Sequence, residues 1–232
     1  VCGNVPLAQA TQNALMTLEV CSADIPVYPG ASRPLFRDLV TAVNVHGNDG
    51  MGDIDLIHPA HEPSGISAVD FILDSVQHHP DEADIVMLGP ATNIALAILR
   101  DRETMSHVRH IYTMGTAGFG PGNTTPVAEF NVYVDAESYK ILLQSGIPIT
   151  IIGFDQCIGS AAWNKADLDS IRAAGTVGAF AVDCNTELLN YNLRRSGAHI
   201  VDLPDAVAMG AALWDDVVLE RRAAYCHCCT QE

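Results

Sequence analysis

The residues best equipped for chemistry lie in Asn123-Thr-Thr-Pro-Val-Ala-Glu-Phe-Asn131, which runs directly into Val-Tyr-Val-Asp135. Glutamate accepts hydrogen bonds, and asparagine both donates and accepts, so Asn123, Glu129 and Asn131 suit a ligand dense in hydroxyl groups. Read as extended chain, the spacing predicts Glu129 and Asn131 on one side and Phe130 on the other, towards apolar packing. The same residues also fit a polar loop that ends in a helix cap. Further candidates are Asn4, His46 in the glycine-rich run Asn44–Asp53, Thr92, Met114, Tyr191 and Asp205. A histidine in such a loop is as readily structural as catalytic. Thr92 can serve as an N-cap or as a backbone-carbonyl ligand. Asp205 suits the first turn of a helix, where the macrodipole favours negative charge, with or without a ligand.

These positions share a topological place. Asp84-Ile-Val-Met-Leu88 reads as a buried parallel strand and ends in Gly89-Pro-Ala-Thr-Asn93, from which a helix over 94–99 departs. His110–Met114 predicts a second strand, running into a loop with Gly115, Gly118, Gly120 and Gly122. A helix over 136–144, a strand over 147–153, a helical region that begins at 167–174 and extends through 180 to 193, and a helix over 206–213 follow, the last after the junction Ile200–Asp205. Earlier in the chain, 6–18 and 67–78 have helical spacing, and Ile25–Tyr28 reads as a short strand closed by Pro29-Gly30. Alternating strands and helices predict an α/β fold, an open Rossmann-like sheet that is mainly parallel and flanked by helices. The polar candidates collect at strand-to-helix junctions, where open parallel sheets bind ligands.

Composition narrows the partners. With 12 basic and 28 acidic residues the formal charge is −16, which argues against nucleic acid and against an anionic membrane, and leaves carboxylates for a hard cation. No apolar run reaches the roughly 20 residues needed to span a bilayer. With 232 residues, 48% of them apolar, the chain suits one large domain with a sizeable core. Cys2, Cys21, Cys157 and Cys184 sit among small or apolar residues and read as buried free thiols in a reducing, cytoplasmic setting. Cys226-His227-Cys228-Cys229 is denser, but no second pair completes a zinc pattern.

The chain resembles the nucleoside hydrolases of the inosine–uridine type. The resemblance is carried by Gly-Asn-Val near the start, Ile-Pro-Val-Tyr-Pro-Gly-Ala-Ser-Arg-Pro-Leu at 25–35 and Val-His-Gly-Asn-Asp-Gly-Met-Gly at 45–52. It continues through Leu-Gly-Pro-Ala-Thr-Asn-Ile-Ala at 88–95, Met-Gly at 114–115 and Gly-Asn…Val-Ala-Glu-Phe-Asn…Asp at 122–135. It implies a Ca2+-assisted hydrolysis of the bond between ribose and nucleobase, in nucleoside salvage, by a cytoplasmic homo-oligomer, a dimer or tetramer, acting on small nucleosides. By the same resemblance, the carbonyl of Thr92 and the carboxylate of Asp205 would hold calcium. Met114, Asn123, Glu129 and Asn131 would hold the sugar; Tyr191 is a candidate from helical spacing alone, as a residue that could face a pocket. His46 would lie near base and ribose, and Asn4 near the attacking water.

Two departures modify that expectation. Val1-Cys-Gly-Asn4 reads as the end of a strand and a turn, so the chain is read as a single domain over 1–232 lacking the family's first strand and Asp-rich loop. Without that loop's calcium ligands and base, these residues alone are expected to be inactive, and a non-catalytic nucleoside- or ribose-binding protein is the alternative. Many family members carry a histidine before the residue matching Asp205 as leaving-group acid; here Pro204 stands in its place, with no proton to give.

Overall fold

A computed structural model describes residues 1–54 and 59–230. Residues 55–58, just after the glycine-rich run Asn44–Asp53, lie outside this description. Helix α1 (Leu7–Val20) is followed by the short α2 (Val43–His46), α3 (Ala68–His78), strand β1 (Asp84–Met87), α4 (Thr92–Arg100) and α5 (Arg102–Met105). Strand β2 (His110–Met114), α6 (Phe130–Val134), α7 (Ala136–Leu143) and β3 (Ile149–Ile152) complete the central unit. Then come β4 (Trp163–Asn164), α8 (Lys165–Ala173), α9 (Thr176–Asp183), α10 (Thr186–Ser196), β5 (Ile200–Val201) and α11 (Pro204–Leu213). No helix among the described residues is long and apolar enough to cross a membrane.

The main sheet has the order β1-β2-β3 with both pairings parallel, as expected for strands joined by helical crossovers. Met87 pairs with Thr113, and Met114 pairs with Ile152, so the three strands end nearly level. The segments leaving them are thereby delivered to one edge, where Thr92, Met114 and Asn131 sit. Helices α3, α4, α5 and α7 bury Val76, Ile94, Ile98, Met105, Tyr139 and Leu142 against this sheet. Each large apolar side chain contributes about 1.5–3 kcal/mol by leaving water. Ser67 caps α3 by accepting from the Asp70 N–H, which starts the helix at the residue after it.

The structure departs from the sequence reading in several places. Ile25–Tyr28 pairs with no neighbouring strand among the described residues. Its region is tied down by separate bonds instead, Ser64 N–H to the Val27 carbonyl and Ala68 N–H to the Pro29 carbonyl. Pro26 supplies no N–H for a ladder. Residues 130–134 form α6, so the extended reading of Glu129–Asn131 is corrected: only Glu129 is extended, as the residue capping that helix. Helix α11 starts at Pro204, where a fixed φ and an absent N–H suit the first helical position. The short β4–β5 antiparallel pair was not expected, since two-residue strands leave no periodicity to read. Cys2 and Cys157 are buried, Cys184 is half-buried, and Cys21 is exposed, against expectation.

Candidate active site

Glu129 organises the site. Its Oε1 accepts from the Asn131 N–H at 2.9 Å and its Oε2 from the Val132 N–H at 3.3 Å. The Asn123 carbonyl oxygen accepts from the Phe130 N–H at 2.9 Å. Two side chains thus satisfy three of the N–H groups that a helix start leaves without partners. Gly122 makes this possible: any Cβ there would overlap the Thr125 carbonyl and the Ala128 backbone. The α6 cap therefore consumes part of the capacity that the sequence assigned to a ligand, while leaving Glu129 the acceptor capacity that its backbone N–H partners do not take and Asn123 its Nδ2 donor.

Asn131 is turned the other way, into the sheet edge. Its Nδ2 donates to the Leu88 carbonyl at 3.4 Å and the Met114 carbonyl at 3.3 Å, with the Met114 Sδ at 3.4 Å. Two carbonyl acceptors fix which end of the amide is nitrogen and leave its Oδ1 to accept from a ligand. Glu129, Asn131 and Met114 are all buried. Burial pushes the Glu129 carboxyl up to about 7, against the lowering effect of the Asn131, Val132 and Thr116 backbone N–H groups, and the charge of Asp205 adds to the rise. Asp205 stands in the first turn of α11, which packs on β1 and β2. The residue is exposed, and the partial desolvation of its carboxyl by the surrounding protein pushes it up to about 6. Water reaches Asp205 more freely than Glu129, so the Glu129 shift weighs more on stability.

Thr92 is not the N-cap of α4 but its first residue, after Ala91. Its hydroxyl donates to Asp135 Oδ2 at 2.6 Å, and the Leu35 N–H reaches the same oxygen at 3.0 Å. Asp135 Oδ1 accepts from the Ser138 N–H at 3.1 Å and caps α7. Fully buried, this carboxylate joins three segments, and the sequence reading assigned it no role. Only the cap was legible, as an Asp two residues before a Glu at the start of a helical pattern.

Asp155 was also missed. Its Oδ2 accepts from the Phe119 N–H at 3.1 Å, holding the loop after β2 against the turn after β3, while its buried Oδ1 has no hydrogen-bond partner. Gly118, at φ 70°, lies so close that a Cβ would overlap this carboxylate.

The other candidates are gathered less directly. Asn4 is exposed, and its carbonyl accepts from the Ala42 N–H at 2.9 Å, immediately before α2 and therefore before His46. His46 is half-buried, and burial lowers its pKa, so the imidazole is neutral at pH 7. Tyr191 is half-buried on α10, the helix packed against α2. Met114, Glu129 and Asn131 thus meet directly, Asn123 joins through α6, Asp205 through its field, and Asn4 with His46 through Ala42.

For a hard cation, the described residues offer the Asp205 carboxylate and the Thr92 carbonyl at matching positions. No group of three or more His, Cys, Asp or Glu side chains converges among them as a metal site. These two ligands, with three oxygens at most, fall short of the roughly six to eight that calcium takes.

The family model described as inosine-uridine preferring nucleoside hydrolase matches residues 1–232. Uridine nucleosidase 1 of Arabidopsis thaliana is 41% identical over 219 residues, which cover 94% of this chain and 65% of that protein. The pyrimidine-specific ribonucleoside hydrolase RihA of Shewanella oneidensis is 37% identical over 190 residues, covering 82% and 58%. The chain therefore spans about three-fifths of the length of these relatives. Among solved structures, the plant nucleoside hydrolase PpNRh1 superimposes with a TM-score of 0.86 at 30% identity, over 93% of this chain and 69% of that one. The purine-preferring ribonucleoside hydrolase of Gardnerella vaginalis follows at 0.85 and 28%, over 92% and 70%. The chain belongs to the inosine-uridine preferring nucleoside hydrolase family.

Proposed function

We propose that the protein hydrolyses the N-glycosidic bond of ribonucleosides, releasing free base and ribose. The observation that carries this reading is the convergence of Glu129, Asn131 and Met114 at the strand ends, with the Asn131 amide anchored on two backbone carbonyls. That leaves the Asn131 Oδ1, the Asn123 Nδ2 and the outer lone pairs of Glu129 to hold sugar hydroxyls in fixed directions. As the glycosidic bond breaks, the sugar becomes oxocarbenium-like, and the carboxylates of Glu129 and Asp205 stabilise that positive charge. His46, neutral through burial, can donate to or accept from base or ribose but adds no charge. Pro204 offers no proton to the departing base.

Calcium remains part of this proposal, with Asp205 and the Thr92 carbonyl among its ligands. The described residues do not by themselves complete a calcium shell. The named preferences of the relatives span purines and pyrimidines, so the test is a panel of both, with p-nitrophenyl riboside, read by released base or nitrophenolate. For the full-length protein the expected result is release, faster from the activated riboside than from inosine, and a loss of at least about tenfold in Asn131→Ala. No release from any substrate by the full-length protein, or full activity in its Asn131→Ala variant, would sink the assignment.

A further inference from the structure

The first turn of α4 grips a distant segment twice. Thr92 reaches it through Asp135, which accepts the Leu35 N–H. The neighbouring Asn93 reaches it directly: its Oδ1 accepts from the Ala31 N–H at 2.8 Å, across 62 residues of sequence. The approach is so close that any Cβ on Gly30 would overlap the Asn93 amide.

From Ala31 the contact passes on. The Ala31 carbonyl accepts from the Cys2 N–H at 3.0 Å, and Cys2 is fully buried. Gly3 then lies over Pro90, where a Cβ would come within 3.1 Å of the ring. The next residue is Asn4, whose carbonyl accepts from Ala42, the residue that opens α2 and so places His46.

We propose that Asn93 is a positioning residue of this site: through the backbone of Ala31 and Cys2 it sets Asn4, and through Asn4 the short helix that ends in His46. This deepens the hydrolase reading and rests on it. Asn93 touches neither the sugar-facing cluster nor a reacting atom. What it supplies is one acceptor, aimed at one backbone N–H, at the root of a series of backbone contacts that no regular strand stabilises. An aspartate keeps that acceptor; an alanine does not.

The test compares wild type, Asn93→Ala and Asn93→Asp by amide hydrogen exchange and by kinetics on the nucleoside panel. In Asn93→Ala, exchange at the Ala31 and Cys2 amides should rise about tenfold, the worth of one hydrogen bond, while the Ile111 amide in β2 keeps its protection. The NMR signals of Asn4 and of the His46 ring should shift. Turnover should fall about tenfold with KM changed less than about threefold, because Asn4 and His46 are displaced while the Glu129–Asn131 clamp is not. Asn93→Asp should restore both exchange and turnover. Unchanged exchange at Ala31 would overturn the proposal. So would a turnover loss that Asn93→Asp fails to restore, or one matched by equal deprotection of Ile111, which would mean a general loss of stability. Should the wild type act on no nucleoside, the hydrolase reading fails by itself, and the exchange and His46 shifts still decide whether Asn93 sets this backbone.

Discussion

Replacing Asp135 by alanine should destabilise the protein far more than a loop carboxylate would. In the wild type the carboxylate is fully buried and accepts from the Thr92 hydroxyl, the Leu35 N–H and the Ser138 N–H. Alanine leaves all three donors without an acceptor. Thr92 and Ser138 are buried, and each costs roughly 2 kcal/mol when unsatisfied, whereas half-buried Leu35 can recruit water and costs about 1. Removing a buried charge returns ~1–2 kcal/mol, so the net loss is about 3–4 kcal/mol. Against a typical stability of about 5–15 kcal/mol, that moves a denaturation midpoint well outside measurement error. Asp135→Asn keeps one carbonyl oxygen for the Thr92 hydroxyl and the Leu35 N–H, so about 1–2 kcal/mol is expected there. The assay is urea unfolding followed by circular dichroism, with the slope compared between variants so that midpoints can be converted to free energies. A loss below about 1 kcal/mol in Asp135→Ala, or equal losses in the two variants, would refute the claim that this one carboxylate joins three segments.

Glu129 should make stability fall as pH rises. Its carboxyl is pushed up to about 7 in the folded protein from 4.5, so below 4.5 its contribution is complete, and it is lost as pH climbs towards and through 7. Relative to Glu129→Gln, the wild type should lose up to ~3 kcal/mol between about pH 4.5 and 8 in urea titrations; a constant difference across that range would remove the burial argument. Thiol labelling of the native protein should modify Cys21, Cys226 and Cys229 quickly and spare Cys2, Cys157 and Cys228, with Cys184 between them. Cys157, pushed up to about 12 by burial and by the nearby Asp205 and Asp155, should be slowest, and its rapid labelling would show that α11 does not cover it. Gly118→Ala should cost more than about 2 kcal/mol in thermal unfolding, because φ is 70° and the new Cβ would strike Asp155; a neutral result would mean that the loop after β2 is not held as described.

The α/β class and most element positions were legible from local pattern. A continuous apolar run marked β1, a short strand pattern marked β2, and helical spacing marked α3, α4 and α7. The candidate residues could be picked out as well, since carboxamides and carboxylates at strand-to-helix junctions would suit a polyhydroxyl ligand. The geometry was not. Glu129-Phe-Asn131 satisfies strand spacing on paper, but capping by Glu129 and Asn123 turns it into α6, and the Asn131 amide then faces the ends of β1 and β2. Nor does any periodicity report that Asp135 accepts the Leu35 N–H across 100 residues, or that Asn93 meets Ala31 across 62. Sequence pattern records which face of its own element a residue occupies, a matter of 2 or 3.6 residues. Which distant backbone group comes to rest within 3 Å of it depends on how strands align and helices pack, and that was decided only when the level ends of β1, β2 and β3 brought those segments to one edge.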